Sequence, residues 1–73
     1  MIHLTRQEQA LFSVLEQNRG RVVPREELME QAWGYPGGRS TRTLDVHIQH
    51  LRKKLGTTQR IETIYRIGYR LAG

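Results

Sequence analysis

The sequence predicts an α+β domain of residues 1–73, with three helices followed by a C-terminal β-hairpin. Three observations carry that expectation. The stretch STRTLDVHIQHLRKKL, residues 40–55, puts Leu44, Ile48, Leu51 and Leu55 on one stripe at 3.6 residues per turn. Its other side carries Arg42, Thr43, Val46, Gln49, His50 and Lys53, with no acid among them. Two earlier stretches join a helix-start signal to apolar residues at helical spacing. The last fourteen residues, RIETIYRIGYRLAG, alternate in the manner of paired strands around a turn.

Taken in order, Ile2 and Leu4 flank His3 in a pattern that fits the end of a short strand. Thr5-Arg6-Gln7-Glu8 then reads as a capping box, in which a hydroxyl and a carboxylate satisfy each other's backbone amides. The first helix is expected over about 6–18, with Leu11, Val14 and Leu15 inward. Gly20 falls where a left-handed residue ends a helix. Arg21-Val22-Val23 forms a brief extended connector, and Pro24 suits the first position of a second helix over about 24–33. There Leu28, Met29 and Ala32 face inward, while Glu26, Glu27 and Glu30 stay in water. Gly34-Tyr35-Pro36-Gly37-Gly38 breaks that helix, and Ser40 or Thr41 caps the third, over about 41–55. The hairpin spans about 60–72, with its turn at Arg66-Ile67-Gly68 and a positive φ at Gly68.

Composition narrows the function classes. Seventy-three residues without cysteine must be held by a core alone, with neither disulfide nor Cys-ligated zinc. No apolar run approaches the roughly 20 residues of a membrane span. A cytoplasmic protein fits these features. Residues 1–38 hold four basic side chains against five acids, whereas residues 39–73 hold eight against two. A net charge of +5 so unevenly placed points to a polyanion meeting the C-terminal half.

Chemistry of other kinds finds little support. No Ser/His/Asp or Cys/His arrangement is present to activate a nucleophile, so the chain is not read as an enzyme. His47 and His50 stand at i, i+3 on a helix but have no third ligand nearby, so neither a metal nor a cofactor is expected. Gly37-Gly38 lacks the G-x-x-x-x-G-K spacing of a phosphate-binding loop.

Three helices followed by a basic hairpin is the element order of a winged helix-turn-helix. The third helix fits a major groove, and the hairpin tip reaches a minor groove or the backbone. Val46 and His50 then become base contacts, with Gln49 and Lys53 beside them. His47, at the edge of the apolar stripe, and Arg52 read as backbone contacts, and Arg66, at the turn tip, enters the minor groove. The competing reading is a winged helix that binds protein or RNA without reading duplex sequence.

Particular residues also resemble the DNA-binding effector domain of OmpR/PhoB-type response regulators. They are Leu4, Thr5 and Glu8 (L-T-x-x-E), and Val22 to Leu28 (V-V-x-R-E-x-L) followed by Trp33-Gly34. Arg42 to Leu55 matches the family's recognition helix almost position for position. Ile61, Thr63 and Ile64 with Gly68 to Leu71 match its wing. The resemblance implies a bacterial two-component transcription regulator. It places Arg42, Thr43, His47, Trp33 and Tyr69 near phosphates, Val46 in the major groove, and Thr63 in the wing's part of the DNA-binding set. It also implies an RNA polymerase contact through residues 34–40 and a tandem dimer on DNA. The sequence departs from the family in Gln9 after the capping box, in Pro24 for the usual serine cap, and in a wing tip reading Tyr65-Arg66-Ile67-Gly68. It holds no counterpart of a receiver domain, and only Ile2 to Leu4 for the family's N-terminal sheet.

Overall fold

The computed structural model describes residues 3–34, 42–57 and 59–72, together with the backbone but not the side chains of Arg42 and Thr43. The element order is α1 (Arg6–Gln17), β1 (Val23–Pro24), α2 (Arg25–Trp33), α3 (Arg42–Leu55), β2 (Ile61–Ile64) and β3 (Gly68–Leu71). The capping box at the start of α1 forms. Thr5 Oγ1 accepts from the Glu8 amide at 3.2 Å, and Glu8 Oε1 accepts from the Thr5 amide at 2.9 Å.

The three helices enclose one core. Leu11 and Leu15 of α1, Leu28 of α2, and Leu44, Ile48 and Leu51 of α3 are completely buried, joined by Val23 and Leu71 from the sheet. Each such side chain contributes about 1.5–3 kcal/mol through removal of apolar surface from water. Gln7 Nε2 ties α1 to the end of α2 by donating to the Ala32 carbonyl at 2.7 Å.

The sheet departs from the expected two-stranded hairpin. It is three-stranded and antiparallel, in the order β1-β3-β2. Val23 pairs with Tyr69 and Pro24 with Gly68, so the connector before α2 is an edge strand of the wing. Pro24, expected inside the helix, is instead its N-cap, with φ −59° and ψ 150°. An edge strand accepts proline because the missing amide faces away from the ladder.

The turn differs as well. It lies at Tyr65–Ile67, closed by the Ile67 amide donating to the Ile64 carbonyl at 2.9 Å. The positive φ belongs to Arg66, at 62°, and not to Gly68. Gly68 is required for another reason. A Cβ there would stand 2.0 Å from the Val23 carbonyl oxygen and 2.9 Å from Pro24 Cα, which is backbone that cannot swing aside. Gly20 does hold a left-handed φ of 85°, but α1 already ends at Asn18, and the Gly20 amide donates to the Leu71 carbonyl. His3 and Leu4 belong to no strand. Ile2, the proposed caps Ser40 and Thr41, and loop residues 35–40 lie outside the described residues.

Glu8 has a second partner. Its side chain is almost fully buried, and Oε1 also accepts from Lys54 Nζ at 2.7 Å, joining the start of α1 to the end of α3. Burial alone would push this carboxyl up. The hydrogen bonds from Lys54 and Thr5, with the lysine's charge, outweigh it and hold the group below its ordinary value of 4.5. The Lys54 charge is thereby structural.

Two outcomes follow from this architecture. Gly68→Ala should destabilise the domain by more than about 2 kcal/mol in urea unfolding, since the β1–β3 ladder must open to admit a methyl group. Wild-type stability at this position would show that the strands can separate freely. Glu8 is more acidic folded than unfolded, so its contribution is complete at neutral pH and is lost as pH falls through its lowered folded-state value. Glu8→Gln should therefore cost about 1–2 kcal/mol at pH 7 and flatten the acid slope of thermal stability measured from pH 7 to 3. Equal slopes for the two proteins would remove Glu8 from the acid transition.

Candidate nucleic-acid interface

The buried stripe of α3 fixes what its other side presents. With Leu44, Ile48, Leu51 and Leu55 turned into the core, Val46, Gln49, His50 and Lys53 stand exposed at i, i+3, i+4 and i+7. These four share one open surface with Asp45. Val46 is 46% exposed and is the one large apolar side chain exposed on α3, leaving its methyls in a polar surround. The residue set offers donors, acceptors and a methyl surface along one helical face, as base edges in a groove require. Arg42 and Thr43 begin the helix one turn before Val46.

Trp33 and His47 are brought together. The indole at the end of α2 and the imidazole on α3 meet edge to face, with centroids 5.2 Å apart and planes at 85°. Both are half-buried, Trp33 packing against the core. His47 therefore sits at the flank of the exposed stripe and not at its crest.

Three of the expected contact residues are committed elsewhere. Tyr69, expected near phosphates, is only 4% exposed, and its hydroxyl donates to Asp45 Oδ1. Arg52, expected on the backbone of a nucleic acid, forks onto the wing. Its Nε and Nη2 donate to the Ile61 carbonyl at 3.1 and 2.8 Å, and Nη2 donates to Thr63 Oγ1 at 2.6 Å. Thr63 is exposed, but its hydroxyl oxygen is that acceptor. Each of these three side chains has a partner within the domain.

Sequence reading gave Arg25 no role. It lies at the first position of α2, and its Nη1 contacts Asp45 Oδ1 at 2.8 Å. Arg25 and Arg52 both hold guanidinium carbons near the Tyr69 ring, 5.8 and 5.7 Å from its centroid. The hydrogen bond from Arg25 holds the Asp45 carboxyl below its usual range despite partial burial, with Tyr69 adding to the effect. Burial, then the neighbouring Asp45, pushes the Tyr69 phenol up, so it stays a protonated donor. An acid inside a basic face is thus neutralised locally. The match of Asp45 to an arginine could be anticipated from charge, but a partner twenty residues away cannot be chosen from spacing.

At the wing tip Tyr65 is 78% and Ile67 53% exposed, with the Arg66 guanidinium carbon 5.3 Å from the Tyr65 ring centroid. The tip is anchored below by the Arg25 amide donating to the Ile67 carbonyl at 3.1 Å. Lys53, Arg60 and Arg66 make no ion pair with a described residue. Arg70, by contrast, pairs with Glu62 across the β2–β3 ladder, where the two residues are in register. Among the described residues no group of three His, Cys, Asp or Glu side chains could hold a metal, and no helix is long and apolar enough to cross a membrane.

Comparison with known proteins gives this geometry a context. The family model described as "Transcriptional regulatory protein, C terminal" matches residues 1–71. The transcriptional regulatory protein VxrB of Vibrio cholerae is 44% identical over 70 residues, covering 96% of this chain and 28% of VxrB. YclJ of Bacillus subtilis, an uncharacterized transcriptional regulatory protein, is 43% identical over 70 residues, with 93% and 31% covered. The chain thus spans less than a third of the length of these relatives. Among solved structures, the DNA-binding domain of Klebsiella pneumoniae RstA in complex with the RstA box superposes with a TM-score of 0.85 at 29% identity, covering 97% of this chain and 74% of that one. Family model, relatives and three-helix-plus-wing architecture agree, and the chain belongs to the C-terminal, winged-helix domains of OmpR/PhoB-type transcriptional regulatory proteins.

Proposed function

We propose that this chain binds double-stranded DNA with sequence preference, laying α3 in the major groove and the wing tip against the neighbouring minor groove, as the effector module of a bacterial transcription regulator. The observation that carries the reading is the exposed row Val46, Gln49, His50 and Lys53, held outward by a buried leucine-rich stripe. A helix offering protein a docking face would present aromatics or leucines there. This one presents a cation, an imidazole, an amide and a single patch of methyls. Arg42, Thr43 and His47, with Trp33 beside His47, serve the phosphates at the flank of that row.

Backbone strain at the wing supports the second half of the reading. Arg66 holds a φ of 62°, a conformation that costs a non-glycine residue about 1 kcal/mol or more. A glycine would relieve the strain but would remove the exposed guanidinium from the tip. A narrow minor groove, with its enhanced negative potential, is the partner such an arginine fits.

Selection from a random duplex library at two salt concentrations tests the proposal directly. The expected result is a short enriched motif whose affinity falls steeply with salt, and direct repeats within it would mean that two copies bind in tandem. Salt-sensitive binding with no motif would support the rival, a winged helix that does not read duplex sequence. His50→Ala should change the preference at one base pair, by about 1–3 kcal/mol, and leave the other positions alone. An unaltered motif removes His50 from the reading set.

On the family resemblance, residues 34–40 extend the reading to RNA polymerase. Tyr35→Ala should then reduce activated transcription while DNA affinity stays at the wild-type level. Unchanged activation, measured with a reporter carrying the selected motif, rejects that contact.

A further inference from the structure

We propose that Tyr69, acting through Asp45 and Arg25, is a positioning residue that couples the wing to the recognition helix, so that minor-groove contact depends on the orientation of α3. The inference rests on the DNA-binding reading above and adds a role for side chains that need not touch DNA.

What holds α3 to the sheet differs from what holds α2 to it. The wing and the start of α2 share backbone hydrogen bonds, through the β1–β3 ladder and the Arg25 amide on the Ile67 carbonyl. Besides the apolar core that α3 shares with Ile61, Tyr69 and Leu71, the described polar contacts joining α3 to the wing run through side chains at two places. Near the start of α3, Asp45 Oδ1 receives both Arg25 Nη1 and the Tyr69 hydroxyl. Two turns later, Arg52 forks onto the Ile61 carbonyl and Thr63 Oγ1 of β2. Positions 45 and 52 are separated by about 10 Å of helix rise. The apolar contacts are non-directional, so the two polar anchors together set the direction of α3 against the sheet. Tyr69 lies at both, its hydroxyl on Asp45 and its ring beside Arg52.

Tyr69 also sits in register with Val23 on one side and Thr63 on the other, in the central strand whose first residue follows the wing tip. A change in the angle of α3 therefore alters where Arg66 lies relative to base pairs already engaged by Val46 and His50. Loss of the Tyr69 hydroxyl leaves a phenyl ring of nearly the same volume, so the core keeps its packing while one anchor is weakened.

A double-mutant cycle between Tyr69→Phe and Arg66→Ala, measured as affinity for the duplex selected by the wild type at one salt concentration, tests the coupling. Arg66→Ala should cost about tenfold in the wild-type background and less than about threefold when Tyr69 is Phe, because the displaced tip no longer delivers the arginine. A merely structural role predicts equal factors in both backgrounds, and that result overturns the proposal. An Arg66→Ala substitution silent in the wild type also overturns it, since there is then no wing contact to couple. Should Tyr69→Phe fail to fold, Asp45→Asn replaces it in the same cycle with the same expectation. Absence of any selected duplex for the wild type would reject DNA reading itself, whereas a selected duplex with an additive cycle rejects only the coupling.

Discussion

The rotational setting of α3 governs what every other part of this domain can present. Leu44, Ile48, Leu51 and Leu55 recur at intervals of four, three and four, which on an α-helix is a single stripe, and three of the four are completely buried. Turning the helix by one residue would rotate it by about 100°, expose that stripe and bury Gln49 or His50 without partners. The outward row is therefore determined by the inward one. Packing energy specifies this exposed surface without any contribution from a ligand, so the surface is formed before anything binds.

Charge is distributed by the same logic. Of the cations in the C-terminal half, Lys54 is held by buried Glu8, Arg70 by Glu62, and Arg52 by a carbonyl and a hydroxyl of the wing. Lys53 and Arg66, which make no ion pair with a described residue, lie on the helix face and at the wing tip respectively. Asp45 is the exception that fits: an acid beside the exposed row, matched by Arg25 so that it does not repel an approaching phosphate. Total charge indicates that a polyanion is favoured. Only the pairing shows which cations remain for it.

Much of the fold is legible in the sequence because its signals are local. The capping box, the stripe of α3 and the inward residues of α1 and α2 depend on spacings of three and four, which a linear reading can count. The exposed set Val46, Gln49, His50 and Lys53 follows from the same counting. What escapes it depends on closeness in space. Pro24 looks like a first helical residue until β3 arrives beside it. Arg52 and Tyr69 look like free contact residues until the carbonyl of Ile61 and the carboxylate of Asp45 claim them. Arg25 belongs to a recognisable local segment, but nothing local reveals its role, because its partners lie twenty and forty-four residues further along the chain.

The wing turn shows how one such constraint displaces another. A glycine near a hairpin turn is ordinarily read as the residue that takes the positive φ. Here the glycine is committed to admitting the Val23 carbonyl, so it must lie in the ladder at Gly68, where any side chain would collide with β1. The turn then falls one step earlier, and its left-handed position goes to Arg66. The third strand, by claiming the glycine, puts an arginine at the strained apex of the wing. Strain and charge coincide at the tip because the sheet beneath it is closed by three strands and not two.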